Sequence, residues 1–432
     1  MSKKKKNIYV TLAVDILHSA HINLIKEAKK YGNVIVGLLT DNAISEYKKL
    51  PLLSYEERYK IVSGIKYVDK IVPQNTWDYT PNLKKYKPNY FIHGDDWKKG
   101  IQKEKREKAL ACLKKINGKL IEVPYTKDVS STEIKEKINK HFNSYSRLSY
   151  LKRLIDNKSL VRILESHSPL TGLMIDNLSV NKKGKFKEFD GMWSSSLTDS
   201  SLRGKPDNQA VDYSTRFNFL SDILDVTKKP VIFDADNGGN IEHIKYLTKT
   251  LERLGVSSMV IEDKIGLKRN SLFSDQSKTK QDSIKNFSKK IEKIKNSRNS
   301  EDFLITARIE SFILGKGIDD ALKRADSYSE AGSDLILIHS KSKTPKEIFS
   351  FAKRFKKSKY YKPIVVVPSS YSKTREADII KNGIKVVIYA NHMLRASYKA
   401  MENSAQKILS SGRSYEIEKN ILPIKDIINL IK

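Results

Sequence analysis

Short apolar runs separated by longer amphipathic stretches recur along the whole chain. In the first third, residues 8–14, 34–39, 70–72, 90–93 and 120–123 read as strands, with helical periodicity between them. Strands that alternate with helices pair in parallel, because each crossover returns the chain to the same end of the sheet. Residues 141–159 are polar, rich in Lys, Arg, Ser and Tyr, and carry no motif, so they are read as a linker between domains at 1–140 and 160–432.

Eight further strands are predicted after the linker, at 161–165, 192–195, 231–234, 259–262, 304–308, 335–339, 364–368 and 386–389. Nearly every one is followed by a helical stretch. Eight strand-then-helix units in about 270 residues are the arithmetic of a (β/α)8 barrel. Polar side chains gather at the C-terminal ends of these strands: Trp193 and Ser195, Asp234 and Asp236, Glu262 and Asp263, Arg308 and Glu310, and His339. In a barrel those ends meet on one face, which makes that face the candidate site.

Composition narrows the setting. The 432 residues contain no run approaching the ~18 apolar positions of a membrane span. Four lysines at 3–6 precede an apolar run, but it ends at Asp15 without a small-residue cleavage site, so no export signal is expected. Cys112 is the sole cysteine, which excludes an internal disulfide and a cysteine zinc cluster and makes the cytoplasm the expected compartment. The formal net charge is +31, yet 65 of the 81 basic residues are Lys, 16 are Arg, and they are scattered. A solvated basic surface is therefore expected rather than a nucleic-acid or membrane partner.

The barrel residues carry recognisable chemistry. Asp234-Ala-Asp236-Asn-Gly-Gly ends a strand with two carboxylates, and with Glu262 these could hold a hard divalent ion such as Mg2+, directly or through its waters. Arg308, Lys268 and His339 could meet a phosphoryl or second carboxylate group. The predicted substrate is thus small and multiply anionic.

Trp193-Ser-Ser-Ser-Leu197, Asp234-Ala-Asp236, Glu262-Asp-Lys264 followed by Lys268-Arg-Asn270-Ser271, Arg308-Ile-Glu310 and His339-Ser-Lys341 together resemble the phosphoenolpyruvate mutase family of the isocitrate lyase superfamily. The resemblance implies interconversion of phosphoenolpyruvate and phosphonopyruvate, with Mg2+ nearest Asp234 and reached through water by Asp236 and Glu262. It implies that Lys268, Asn270, Arg308 and His339 grip the migrating phosphoryl group, and that the Lys-Arg-Asn-Ser271 stretch belongs to a loop that closes over substrate. Ser195, Ser196 and Leu197 would hold the substrate carboxylate with Trp193 beside them, and Asp207 would stand near the reacting centre. Ser196 departs from the Gly common in the family, which the turn tolerates if its φ is negative. The superfamily's lyases use a loop cysteine, and with Cys112 in the other domain the lyase reading is removed. A phosphonopyruvate hydrolase needs the same grips and stays open, as does a basic polyanion-binding protein on a degenerate scaffold. The resemblance implies a family that commonly forms tetramers, so a homo-oligomer, dimer or tetramer, is expected.

In the first domain, Asp15-Ile-Leu-His18-Ser-Ala-His21 follows the first strand and opens a helix, where backbone amides favour phosphate. With Tyr55-Glu-Glu-Arg58, His93-Gly-Asp95-Asp96-Trp97 and Ser130-Ser131-Thr132-Glu133, it resembles the His-x-Gly-His cytidylyltransferases, a Rossmann-like fold. That resemblance implies CTP as co-substrate, His18 and His21 at the α-phosphate, and Ser130, Ser131 and Thr132 at the triphosphate. Lys48 or Lys49 would add charge, and Arg58 and Asp95 would lie at the nucleotide. Ala20 and Asp128 replace the usual glycines, and both substitutions weaken the expected nucleotide binding. The order of the two domains resembles that of bifunctional enzymes of fosfomycin and related phosphonate pathways, in which the first domain transfers CMP to a phosphonate.

Overall fold

The computed structural model describes residues 6–98, 102–124, 145–182, 185–266, 268–273 and 275–431. It divides into two compact units. One comprises residues 1–146, 153–159 and 178–188, and the other comprises 147–152, 160–177 and 189–432.

In the first unit, β1 (Asn7–Leu12), β2 (Asn33–Leu39), β3 (Lys70–Gln74), β4 (Tyr90–Gly94) and β5 (Lys119–Val123) form a parallel sheet in the order β3-β2-β1-β4-β5. These are the five strands expected from the apolar runs. Alternation along β1 sends Ile8, Val10 and Leu12 into one apolar cluster and Tyr9 into another with Phe91 and Trp97. Burial on both faces is what helices on either side of a parallel sheet impose. The strand order reverses between β1 and β4, and the crevice beyond their carboxyl ends is where such sheets take ligands. A hairpin, β7 (Ser179–Lys182) with β8 (Lys185–Glu188), is counted with this unit although the sequence places it after β6 (Val161–Glu165). Its short Lys- and Asn-bearing strands bury too little to show an apolar period.

The second unit is a closed parallel barrel in the order β10-β11-β14-β15-β16-β17-β6-β9. Beyond β6, its strands are β9 (Gly191–Ser194), β10 (Val231–Asp234), β11 (Ser258–Glu262), β14 (Leu304–Ile309), β15 (Leu335–Ile338), β16 (Ile364–Val366) and β17 (Val386–Tyr389). All eight expected strands are present, shifted at most a residue or two at their ends. Between β11 and β14 an antiparallel ribbon, β12 (Lys264–Ile265) with β13 (Lys280–Gln281), forms the base of a loop. The segment expected as a linker contains a helix, Tyr145–Asn157, that buries Leu148, Leu151, Leu154 and Ile155. Their spacing of three and four is the helical signal, overlain in the sequence by the surrounding polar residues.

Among the described residues no helix is long and apolar enough to cross a membrane. The helix His392–Ser411 has no buried residue, and Tyr398, Met401 and Leu409 on it are exposed.

Candidate active site

One cavity opens at the C-terminal ends of the barrel strands. Trp193, Ser195, Ser196, Leu197, Asp207, Asp234, Glu262, Lys268, Asn270, Ser271, Arg308 and His339 line it. Every one of these was expected at the site from the sequence. The far wall adds Leu337, Val367, Ser369, Ala390 and Asn391, which the sequence did not single out.

The carboxylates are presented by a turn after β10. Asp234 ends the strand, and Asp236 adopts a left-handed backbone with φ of 52°, a conformation unfavourable for a side-chain-bearing residue. Contacts from several sides hold it: its amide donates to Asp234 Oδ1 at 3.2 Å, its carbonyl accepts from the Glu262 amide at 2.8 Å, and Arg216 stands 3.7 Å from its carboxylate. Arg216 is buried, donates to the Asp234 carbonyl at 2.6 Å and pairs with Asp199 at 2.7 Å. Neither Arg216 nor Asp199 was foreseen. For Arg216 the sequence signal is a charge on the helix face that carries Leu220, Ile223 and Leu224, whereas Asp199 lies in a short polar helix with no such signal.

Lys268 reaches from the loop into this group of carboxylates. Its Nζ bonds Asp236 and Ser196, lies 3.0 Å from Asp207 Oδ1 and 3.8 Å from Asp234 Oδ2. Asn270 donates to Asp207 Oδ2 at 2.9 Å. Burial alone would raise the pKa of Asp234, but Lys268, Arg308 and Arg216 outweigh it and hold the carboxyl well below the usual range. Ser196 opens the helix Ser196–Ser201, so its φ is not left-handed, and its hydroxyl donates to Asp234 Oδ2 at 2.8 Å. The departure from Gly is thus accommodated by the backbone and adds a bond to the carboxylate.

The opposite side of the cavity is cationic. Arg308 pairs with Glu310 at 2.5 Å, donates to Ser271 Oγ at 2.8 Å and lies 3.2 Å from His339 Nδ1. Burial and the adjacent Arg308 push His339 down to about 3, which leaves it neutral at pH 7. Although burial opposes it, Arg308 and Lys264 hold Glu310 down at about 2. Asp263, expected at the mouth, turns away from it and is bound by Arg324 at 3.1 Å and Tyr328 at 2.9 Å, so its role is to brace the barrel.

The expected metal residues separate into two groups. Asp234 and Asp236 face Lys268, while Glu262 faces Lys264 and Arg308 at 3.4 and 3.5 Å. Among the described residues no group of three or more His, Cys, Asp or Glu side chains converges on one point. The donor chemistry still fits Mg2+. Both Glu262 oxygens are buried and accept no hydrogen bond, burial pushes that carboxyl up to about 7, and Mg2+ takes one or two carboxylates and keeps several waters.

In the first unit, His18 and His21 lie beyond the end of β1 with ring centroids 3.9 Å apart. Burial, His18 and Lys48 push His21 down to about 3. Lys48 is itself lowered by burial, whereas Lys49 is exposed. Asp95 follows β4, where His93 stacks on Trp97 at 3.9 Å. Arg58 is not at a ligand surface as expected. It is fully buried, bonds Asp41 at 2.5 Å and donates to the carbonyls of Ala13, Leu39 and Leu53, so it fastens the loops after β1 and β2. Ala20 sits inside the helix Ser19–Lys29 and has no left-handed φ. Ser130, Ser131, Thr132 and Asp128 lie outside the described residues.

Comparison with known proteins accords with both halves. The profile of the family described as phosphoenolpyruvate phosphomutase matches residues 151–409, and that described as cytidylyltransferase-like matches 14–137. The chain is 34% identical over 290 residues to phosphoenolpyruvate phosphomutase of Tetrahymena pyriformis, covering 67% of this chain and 92% of that one. Among solved structures, phosphoenolpyruvate phosphomutase from Streptomyces platensis superposes with a TM-score of 0.61 at 32% identity, over 66% of this chain and 94% of the other. A phosphonopyruvate hydrolase in complex with oxalate and Mg2+ gives 0.59 at 31%, over 66% and 94%. The chain belongs to the phosphoenolpyruvate phosphomutase family of enzymes, with a cytidylyltransferase-like domain ahead of its barrel.

Proposed function

We propose that the barrel interconverts phosphoenolpyruvate and phosphonopyruvate. The observation that carries this reading is the placement of Lys268 and Asn270 from the loop, opposite Arg308 and His339, over one cavity. In the direction of phosphoenolpyruvate, the P–C bond breaks, its electron pair becomes the pyruvate enolate, and the enolate oxygen forms the new P–O bond. Nothing else enters or leaves. The chain's task is therefore to neutralise the phosphoryl oxygens, hold the enolate still and exclude water. Arg308 supplies a permanent charge and neutral His339 a hydrogen bond, while Ser195 and Ser196 hold the substrate carboxylate at the start of a helix. Asp234, Asp236 and Glu262 would hold Mg2+, which would supply positive charge to offset that on the substrate.

The similarity to a phosphonopyruvate hydrolase at nearly the same level supports a second reading. The two separate by 31P NMR of the protein with Mg2+ and phosphonopyruvate. Phosphoenolpyruvate is the expected product, and inorganic phosphate with pyruvate would show the hydrolase instead.

For the first domain we propose CTP-dependent transfer of CMP to a small phosphonate. The sheet order and the paired His18 and His21 beyond β1 support it. Adding CTP and 2-hydroxyethylphosphonate to the same NMR sample should produce a CMP–phosphonate anhydride, as a phosphonate oxygen bonds the α-phosphorus and pyrophosphate leaves, and this product should be lost in His18→Ala with the barrel reaction intact. We also propose that the protein self-associates, which the exposed apolar side chains of the helix His392–Ser411 favour.

A further inference from the structure

Lys264 has no part in the reaction described above, yet its ammonium joins the loop to the barrel. It lies on β12, two residues beyond Glu262, and is 4% exposed. Its Nζ donates to the Arg269 carbonyl at 2.9 Å and to Ser271 Oγ at 2.8 Å. It also stands 3.4 Å from Glu262 Oε1 and 3.4 Å from Glu310 Oε2. Two partners are thus on barrel strands or their ends, and two are on the loop. Ser271 extends the connection, donating to Glu310 Oε2 at 2.6 Å and accepting from Arg308 Nη2 at 2.8 Å.

A buried ammonium has three donors to satisfy. The loop's carbonyl and hydroxyl take the two short hydrogen bonds, and the two carboxylates at 3.4 Å balance the charge and leave only a long contact for the third donor. Loop placement and the satisfaction of Lys264 are one event.

We propose that Lys264 is a positioning residue that latches residues 268–271 over the mouth, and that this latch keeps water from the phosphoryl group. The proposal rests on the mutase reading. With the latch closed, the phosphoryl group passes to the enolate oxygen. If water enters, its oxygen forms the new P–O bond as P–C breaks, one of its protons goes to the enolate carbon, and the products are inorganic phosphate and pyruvate. Lys264 thereby sets the ratio of rearrangement to hydrolysis.

The test uses full-length wild type, Lys264→Met, Ser271→Ala and the double variant, each with Mg2+ and phosphonopyruvate under 31P NMR. Tryptic cleavage after Lys268, Arg269 and Lys278 is followed in parallel, and circular dichroism checks folding. Lys264→Met should form phosphoenolpyruvate about ten- to hundredfold more slowly, release a larger share of inorganic phosphate and be cut faster in the loop. The double variant should lose no more than the worse single variant, because both residues act through one contact. An unchanged product ratio with unchanged cleavage in a folded Lys264→Met overturns the proposal, as do losses that multiply in the double variant. Should Lys264→Met fail to fold, Lys264→Gln carries the same readings. Wild type that releases only phosphate and pyruvate overturns the mutase reading and the water-exclusion role together. Wild type that makes phosphoenolpyruvate upholds the mutase reading, and the variants then decide the role of Lys264 alone.

Discussion

Asp234 takes a hydrogen bond from Ser196 and lies near Lys268 while Arg216 holds its backbone. Asp234→Ala should lower kcat about a thousandfold, with the far-ultraviolet circular dichroism unchanged. Ser196→Gly removes one hydrogen bond of about 1 kcal/mol, so kcat/KM should fall no more than about tenfold in the same assay. His339 gives a pH signature. Its pKa moves from 6.5 in the unfolded chain to about 3 in the fold, so between those values the unfolded chain holds the extra proton. Stability is full above pH 6.5 and falls as the pH drops, by about 2 kcal/mol at pH 5 from this group. Urea titrations should show a flatter acid limb in His339→Asn, by up to one proton between pH 6.5 and 3.

At the scale of elements, the apolar runs named all thirteen strands of the five-stranded sheet and the barrel among the described residues, because most of these strands are buried on both faces and leave a continuous apolar run. They missed the β7–β8 hairpin and the β12–β13 ribbon, which bury too little to leave one. Arg58 shows what a motif alone conceals. Its place in Tyr55-Glu-Glu-Arg58 suggested a nucleotide contact, and the fold turns it inward to carbonyls after β1 and β2. Removing Arg58 leaves the buried Asp41, among the described residues, with only the more distant Arg153, at 3.8 Å, so Arg58→Met should destabilise the first unit by about 3 kcal/mol, read from urea denaturation by tryptophan fluorescence.

For the whole molecule, the net charge of +31 acts at a distance and is screened by salt. Capture of anionic substrates should weaken severalfold as ionic strength rises, visible in kcat/KM with kcat little changed. A polyanion-binding scaffold would behave differently, since Asp234→Ala would leave its salt-sensitive binding intact. Light scattering during size exclusion should report an assembly larger than 49.4 kDa if the exposed helix His392–Ser411 is covered by a second copy.

By itself the sequence determined which segments become strands and which residues end them. Apolar periodicity records burial, and a polar residue at the C-terminal end of a buried barrel strand either faces the mouth, as Asp234 and Glu262 do, or turns outward to brace a helix, as Asp263 does. Asp234, Glu262, Arg308 and His339 were legible for that reason. Tertiary structure alone decided which distant charges meet: that Asp263 braces Arg324 while Glu262 faces the cavity, that Arg216 supports the Asp234–Asp236 turn, and that Lys264 joins Ser271 to Glu310. Such pairings depend on barrel closure and loop course, which bring together side chains tens of residues apart, and no local pattern records that distance.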